Sequence, residues 1–141
     1  MSNGNYIIDA SGSADTYVRI LLPQFLDSFG DIKFEASIKM AAATDNKKWT
    51  SLMYRVQNGN YPYYQGCLRK DATASNGIEI SQKPSANSTA WNVYSTSAFD
   101  RARTSDYNIC TITAKGTKSV FNVNGFDVCE YSNTAYATGA M

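Results

Sequence analysis

Residues 31–40 read Asp31-Ile32-Lys33-Phe34-Glu35-Ala36-Ser37-Ile38-Lys39-Met40, and their pattern decides the fold class. Ile32, Phe34, Ala36, Ile38 and Met40 alternate without a break with Asp31, Lys33, Glu35, Ser37 and Lys39. Successive side chains of an extended strand point to opposite faces, so this stretch predicts a β-strand with one buried face and one wet one. Wound into a helix, the same apolar residues would spread around the whole cylinder. The Phe29-Gly30 break ahead of the stretch marks its start.

The same period recurs on both sides. Toward the N-terminus, residues 5–9 (NYIID) and 16–22 (TYVRILL, stopped by Pro23) are strand candidates. Toward the C-terminus, a polar turn at residues 44–48 leads into residues 49–57 (WTSLMYRVQ). Alternation there predicts Leu52, Tyr54 and Val56 on one face, Met53 and Arg55 on the other. Asn58-Gly59-Asn60 turns the chain into residues 61–69 (YPYYQGCLR). On that return, Tyr61, Tyr63, Gln65 and Cys67 share one face, and Pro62, Tyr64 and Gly66 the other. Residues 78–82 and 91–94 are shorter strands, and residues 100–103 make a turn or a brief helical turn. Residues 107–115 (YNICTITAK) and 118–123 are joined at Gly116-Thr117. Asn124-Gly125 lies between VFNV and FDVCEY, the dipeptide that a two-residue type I′ hairpin demands because both central residues need positive φ. About ten short strands, with turn signals roughly every 8–12 residues, predict an all-β, two-sheet antiparallel sandwich forming a single domain over residues 1–141.

Composition narrows the chemistry. Of 141 residues, 43% are apolar and 18% charged, with a net charge of +1, so no electrostatic attraction to nucleic acid or an anionic membrane is expected. Arg101, Arg103, Lys115 and Lys118 are dispersed among acids rather than gathered into a patch. No run approaches the roughly 18 apolar residues of a membrane helix. Met1-Ser2-Asn3-Gly4-Asn5 is polar and lacks the pattern of a signal peptide. Histidine is absent, which removes the commonest general base and metal ligand and leaves no Ser-His or Cys-His couple. Cys67, Cys110 and Cys129 show no CxxC spacing, so no zinc site is expected and they are read as buried, reduced thiols. Cys110 and Cys129 fall on the outer strands of a three-strand meander, about 9–10 Å apart and beyond disulfide reach.

Glycosidases need two carboxyls about 5–9.5 Å apart. No Glu-x-Asp-x-x-Glu run supplies them, and Glu35, Glu79, Asp127 and Glu130 read as isolated, solvated strand residues. Asp45, Asn46, Asp100 and Asp106 could contribute to a structural calcium site, although all sit in ordinary turn sequence and no cofactor is otherwise expected. The strongest functional signal is aromatic. Trp49, Tyr54, Arg55, Tyr61, Tyr63, Tyr64 and Gln65 crowd into one hairpin, with Trp91 further on. Sugar C–H faces pack on aromatic rings, and sugar hydroxyls want partners such as Arg, Gln and Asn. Trp49, Arg55, Tyr61, Tyr63, Tyr64, Gln65 and Trp91 are therefore the candidate ligand-binding residues. Cross-strand packing in a sandwich core would use the same aromatics.

The segments GDIKFEASIKM, WTSLMYRVQNGNYPYYQGCLRK and DYNICTITAKGTKSVFNVNGFDVCEYSNTAYATG occur in an order that resembles the concanavalin A-like, laminin G-like jelly roll. The resemblance runs from Tyr6 to Gly139. It implies a jelly-roll sandwich of a superfamily that holds lectins, carbohydrate-binding modules, glycosidases and adhesion domains, so fold alone does not choose the function. Joined to the aromatic cluster, it points to a non-catalytic glycan-binding module of a larger bacterial secreted or surface protein, located outside the cell. The alternative is a structural or adhesion domain. Members of the group continue past the Thr138-Gly139 step with closing strands. Their absence implies a domain truncated at its C-terminus, with residues 5–9 at an open sheet edge. A peptide partner or a strand-swapped second copy would then complete it.

Overall fold

The structure, a computed structural model, describes residues 29–39, 49–59, 61–69, 78–86, 92–97, 102–103, 106–132 and 135–141. These hold strands β1 (Ile32–Ile38), β2 (Trp49–Tyr54), β3 (Tyr63–Arg69), β4 (Ile78–Lys83), β5 (Asn92–Ser97), β6 (Asn108–Lys115), β7 (Lys118–Val123) and β8 (Phe126–Ser132). Two four-stranded antiparallel sheets result, in the orders β1-β6-β7-β8 and β2-β3-β4-β5. The chain leaves the first sheet after β1, builds the whole second sheet as a meander, and returns to lay β6 beside β1. The all-β, two-sheet expectation holds.

Alternation in β1 is realised as read. Ile32, Phe34, Ala36 and Ile38 are partly buried against the core, while Lys33, Glu35 and Ser37 are exposed. Each inward residue sits opposite an inward residue of β6: Phe34 faces Ile112 and Ala36 faces Cys110. From the other sheet, Leu52, Tyr54, Tyr64, Leu68, Ile78 and Ile80 complete the core. Between them lies Gly66, where a Cβ would stand 2.6 Å from Ile112 Cδ1 and 2.7 Å from Phe121 Cδ2. Only a residue without a side chain lets the sheets approach this closely. At the β7–β8 turn, Asn124 has φ 54° and Gly125 φ 88°, both positive as the type I′ hairpin requires. Asn124 also ties the turn to β6, its Oδ1 accepting from Ile109 N–H at 3.0 Å and its N–H donating to the Ile109 carbonyl at 2.8 Å.

All three cysteines are buried free thiols, as expected. Cys129 Sγ donates to the Ile78 carbonyl at 3.0 Å, and burial pushes the Cys110 thiol up to about 12.

Two expectations need correction. Alternation was expected to run through Gln57, but β2 ends at Tyr54 and Arg55 adopts φ 52°. That left-handed residue rotates the chain, so Val56 joins Tyr63 and Ala140 in a small second cluster instead of following Leu52 and Tyr54 into the core. Arg55 was expected to reach solvent, an acid or a ligand. It is 1% exposed, and its Nη2 donates to the Gly116 carbonyl at 2.6 Å. The end of the sequence is also engaged: Gly139 pairs with Phe29 and Ala140 with Val56. The expected edge strand at residues 5–9, and the strand at 16–22, lie outside the described residues.

Candidate functional site

Period two puts residues 63, 65 and 67 of β3 on the face of the second sheet turned away from the core. Cross-strand register extends that face into three rows. Met53, Gln65 and Ser81 form the middle row; Ser51, Cys67 and Glu79 lie on one side of it, Tyr63 and Lys83 on the other. An outer sheet face normally either meets water and is polar, or is covered and apolar. This one is polar and shielded. Gln65 is 2% exposed, Ser81 0%, Lys83 5% and Glu79 7%.

Buried polar groups must find partners, and these do. Ser51 Oγ donates to Gln65 Oε1 at 2.9 Å, and Gln65 Nε2 donates to Ser81 Oγ at 3.0 Å. The amide is thereby clamped between two strands in one orientation. An amide carries two N–H donors and two acceptor lone pairs, so Gln65 retains one of each beyond this network. Tyr61 stacks on Tyr63 at 5.6 Å between ring centroids, beside Met53. Ser51, Met53 and Tyr61 are half-buried and form the part of this face that reaches solvent.

The structure brings three of the sequence-predicted residues together here: Gln65, Tyr63 and Tyr61. Trp49, half-buried, begins the adjoining strand β2 two positions before Ser51. Tyr64 points the other way, into the core, where it is 2% exposed among Tyr54, Tyr94, Tyr131 and Tyr136. Arg55 is committed to Gly116. Trp91 lies outside the described residues, as do Asp45, Asn46 and Asp100. Asp106 is exposed, and its Oδ1 accepts from the N–H of Tyr107 at 2.8 Å, the ordinary bond of a turn aspartate. Among the described residues no three carboxylates or thiols converge as metal ligands.

Sequence reasoning missed Ser51, Ser81 and Lys83, and it read Glu79 as solvated, whereas Glu79 is 7% exposed. The signal was available in β4, where Ile78 and Ile80 alternate with Glu79 and Ser81 in a strand flanked by two others. Strand order, which the sequence does not state, is what sets Glu79 and Ser81 beside Cys67 and Gln65 of β3. Glu35, Asp127 and Glu130 are exposed as read. They lie on the opposite sheet, where Glu35 accepts from Thr111 Oγ1 at 3.0 Å and Asp127 from Asn122 Nδ2 at 2.9 Å.

No family model and no curated protein sequence matches the chain. Among solved structures, the carbohydrate binding module CBM66 from Bacillus subtilis is similar, with a TM-score of 0.67 and 12% sequence identity. The two share one fold. The match covers 81% of this chain, which spans 66% of the length of that module.

Proposed function

We propose that the chain is a non-catalytic glycan-binding module, working outside the cell within a larger bacterial secreted or surface protein, and that its ligand engages the outer face of the β2–β5 sheet. The observation that carries this reading is the part of that face that reaches solvent, where the Tyr61 ring stacks on Tyr63 beside Met53 and the Ser51 hydroxyl is held by the buried Gln65 amide. A sugar presents closely spaced hydroxyls that both donate and accept. The Ser51 hydroxyl, already oriented by its bond to Gln65, answers that chemistry without rearranging. The Tyr61–Tyr63 pair at the rim offers aromatic surface to sugar C–H groups. The shared fold with a carbohydrate binding module supports the same reading.

Binding is favoured over cleavage because glycosidic hydrolysis needs two carboxyls about 5–9.5 Å apart. Among the described residues, Glu79 is the one carboxylate on this face. On the other sheet's outer face Glu35 stands three strand spacings from Asp127, about 14 Å, and Glu130, which shares that face, is held by Lys118 at 2.7 Å.

Affinity electrophoresis tests the proposal. The chain is run through gels containing soluble glucans, xylans, mannans, galactans or fructans. At least one should retard it, and Gln65→Ala should weaken that retention roughly tenfold by freeing the Ser51 hydroxyl from its fixed orientation. Gln65→Ala leaves the buried Ser81 hydroxyl and the half-buried Ser51 hydroxyl short of a partner, so its melting is measured alongside and the gels run well below it. A wild-type chain that no polysaccharide retards, or a folded Gln65→Ala that is retained equally, would refute the proposal.

A further inference from the structure

Both β5 and β8 end their sheets, and they meet along one side of the sandwich. Register between β4 and β5 shifts there: Ile80 pairs with Ser95 and Ser81 with Val93, leaving Tyr94 as the extra residue of a bulge. Bulges re-aim a side chain. This one turns Tyr94 toward β8, where its ring stacks on Tyr131 with centroids 4.1 Å apart and planes 4° from parallel. Gln82 Oε1 accepts the Tyr94 hydroxyl at 2.9 Å and holds the ring in place. A tyrosine serving only the core would be covered, yet Tyr94 is 36% exposed and Tyr131 half-buried. Tyr64 packs against both rings, 6.2 and 6.3 Å away, and Tyr136 lies 5.9 Å from Tyr64. The Tyr64 hydroxyl is buried with no hydrogen-bond partner, a polar group left unanswered beside an exposed aromatic surface.

We infer that the Tyr94–Tyr131 stack is a second carbohydrate-contacting surface, separate from the outer face of the β2–β5 sheet, on which a neutral sugar ring lies with its C–H face against the aromatic plane. It rests on the glycan-binding reading. Ring contact with the exposed Tyr94 and half-buried Tyr131 supplies the binding. A phosphate or carboxylate would find no cation among these residues, which favours a neutral sugar.

The test uses the full chain in the same polysaccharide gels, comparing wild type, Tyr94→Ala, Tyr94→Phe and Gln65→Ala. Tyr94→Ala should weaken retention roughly tenfold while Tyr94→Phe, which keeps the ring, should not. In a wild-type measurement that needs no variant to fold, the retaining polysaccharide should protect Tyr94 and Tyr131 from nitration by tetranitromethane, read by peptide mass. Tyr94→Ala retained like wild type, or equal nitration with and without polysaccharide, would overturn the inference while leaving the Gln65 site standing. Loss in Tyr94→Ala with none in Gln65→Ala would sustain this surface and remove the other. Retention of wild type by no polysaccharide would remove both.

Discussion

Replacing Gly66 by alanine tests whether the two sheets meet as closely as the structure has them. The new Cβ would lie 2.6 Å from Ile112 Cδ1, 2.7 Å from Phe121 Cδ2 and 2.8 Å from Phe121 Cγ. Carbon atoms rest about 3.5–4.0 Å apart, so roughly 1 Å must be found at all three contacts. Ile112 could swing its terminal methyl, but the Phe121 ring is held at 0% exposure among core side chains, as is Ile112 itself. Overpacking of this kind costs about 1–3 kcal/mol, or a Tm lower by roughly 3–12 °C for a chain this size. The sign is diagnostic. Without a clash, alanine in place of a strand glycine would stabilise by about 0.5–1 kcal/mol. Urea denaturation followed by circular dichroism measures the difference, and Ile112→Val in the same chain should recover part of the loss because it removes the Cδ1 contact. A Gly66→Ala chain at least as stable as wild type would show that the sheets are further apart than described.

At the β7–β8 turn, a Cβ on Gly125 would meet nothing within 4 Å, so Gly125→Val acts through the backbone alone, at φ 88°. It should destabilise by about 1–2 kcal/mol, and an unchanged melting curve would contradict the turn. Alkaline pH probes the core. Burial raises Tyr54 from 10.0 to about 12 and Cys110 from 9.0 to about 12. Groups raised on folding contribute stability that is complete below their unfolded values and is lost as pH climbs through the folded ones. The urea midpoint should therefore hold steady from neutral pH to about pH 9 and fall between there and pH 12, with Tyr54→Phe softening the fall. A midpoint that stays level to pH 11 would refute the assignment of both groups to the core.

Much of this architecture was legible because it is written in local chemistry. The alternation of β1 assigned its faces, and Asn124-Gly125 specified the hairpin, since few dipeptides tolerate two successive positive φ angles. Arg55 was not legible. Nothing in Tyr54-Arg55-Val56 marks a left-handed residue, and arginine rarely adopts one; the conformation answers the surrounding contacts, in which Val56 pairs with Ala140 and the guanidinium reaches Gly116. The aromatic cluster was legible, and so was its division between the two faces of β3; which face meets the core was not. Tyr63 and Tyr64 are neighbours in sequence and lie on opposite sides of a sheet. Tyr94 and Tyr131, far apart in sequence, stack face to face only because two sheet edges converge.

On the proposed glycan-binding reading, that division lets one strand serve stability and recognition together. Tyr64, Gly66 and Leu68 of β3 lock against the opposite sheet, Gly66 with no clearance to spare, so the backbone between them has little freedom to shift. Tyr63, Gln65 and Cys67 ride on that same backbone with their side chains turned outward. Rigidity on the inner side therefore becomes positional precision on the outer side, where Gln65 fixes the Ser51 hydroxyl. The left-handed Arg55 adds the boundary. By sending Val56 outward to meet Tyr63 and Ala140, it sets an apolar cluster at one end of the polar rows, beside Met53 and Tyr61. A ligand on this face would thus meet aromatic and aliphatic surface at that end and the oriented Ser51 hydroxyl further along β2, the two kinds of contact a sugar ring requires.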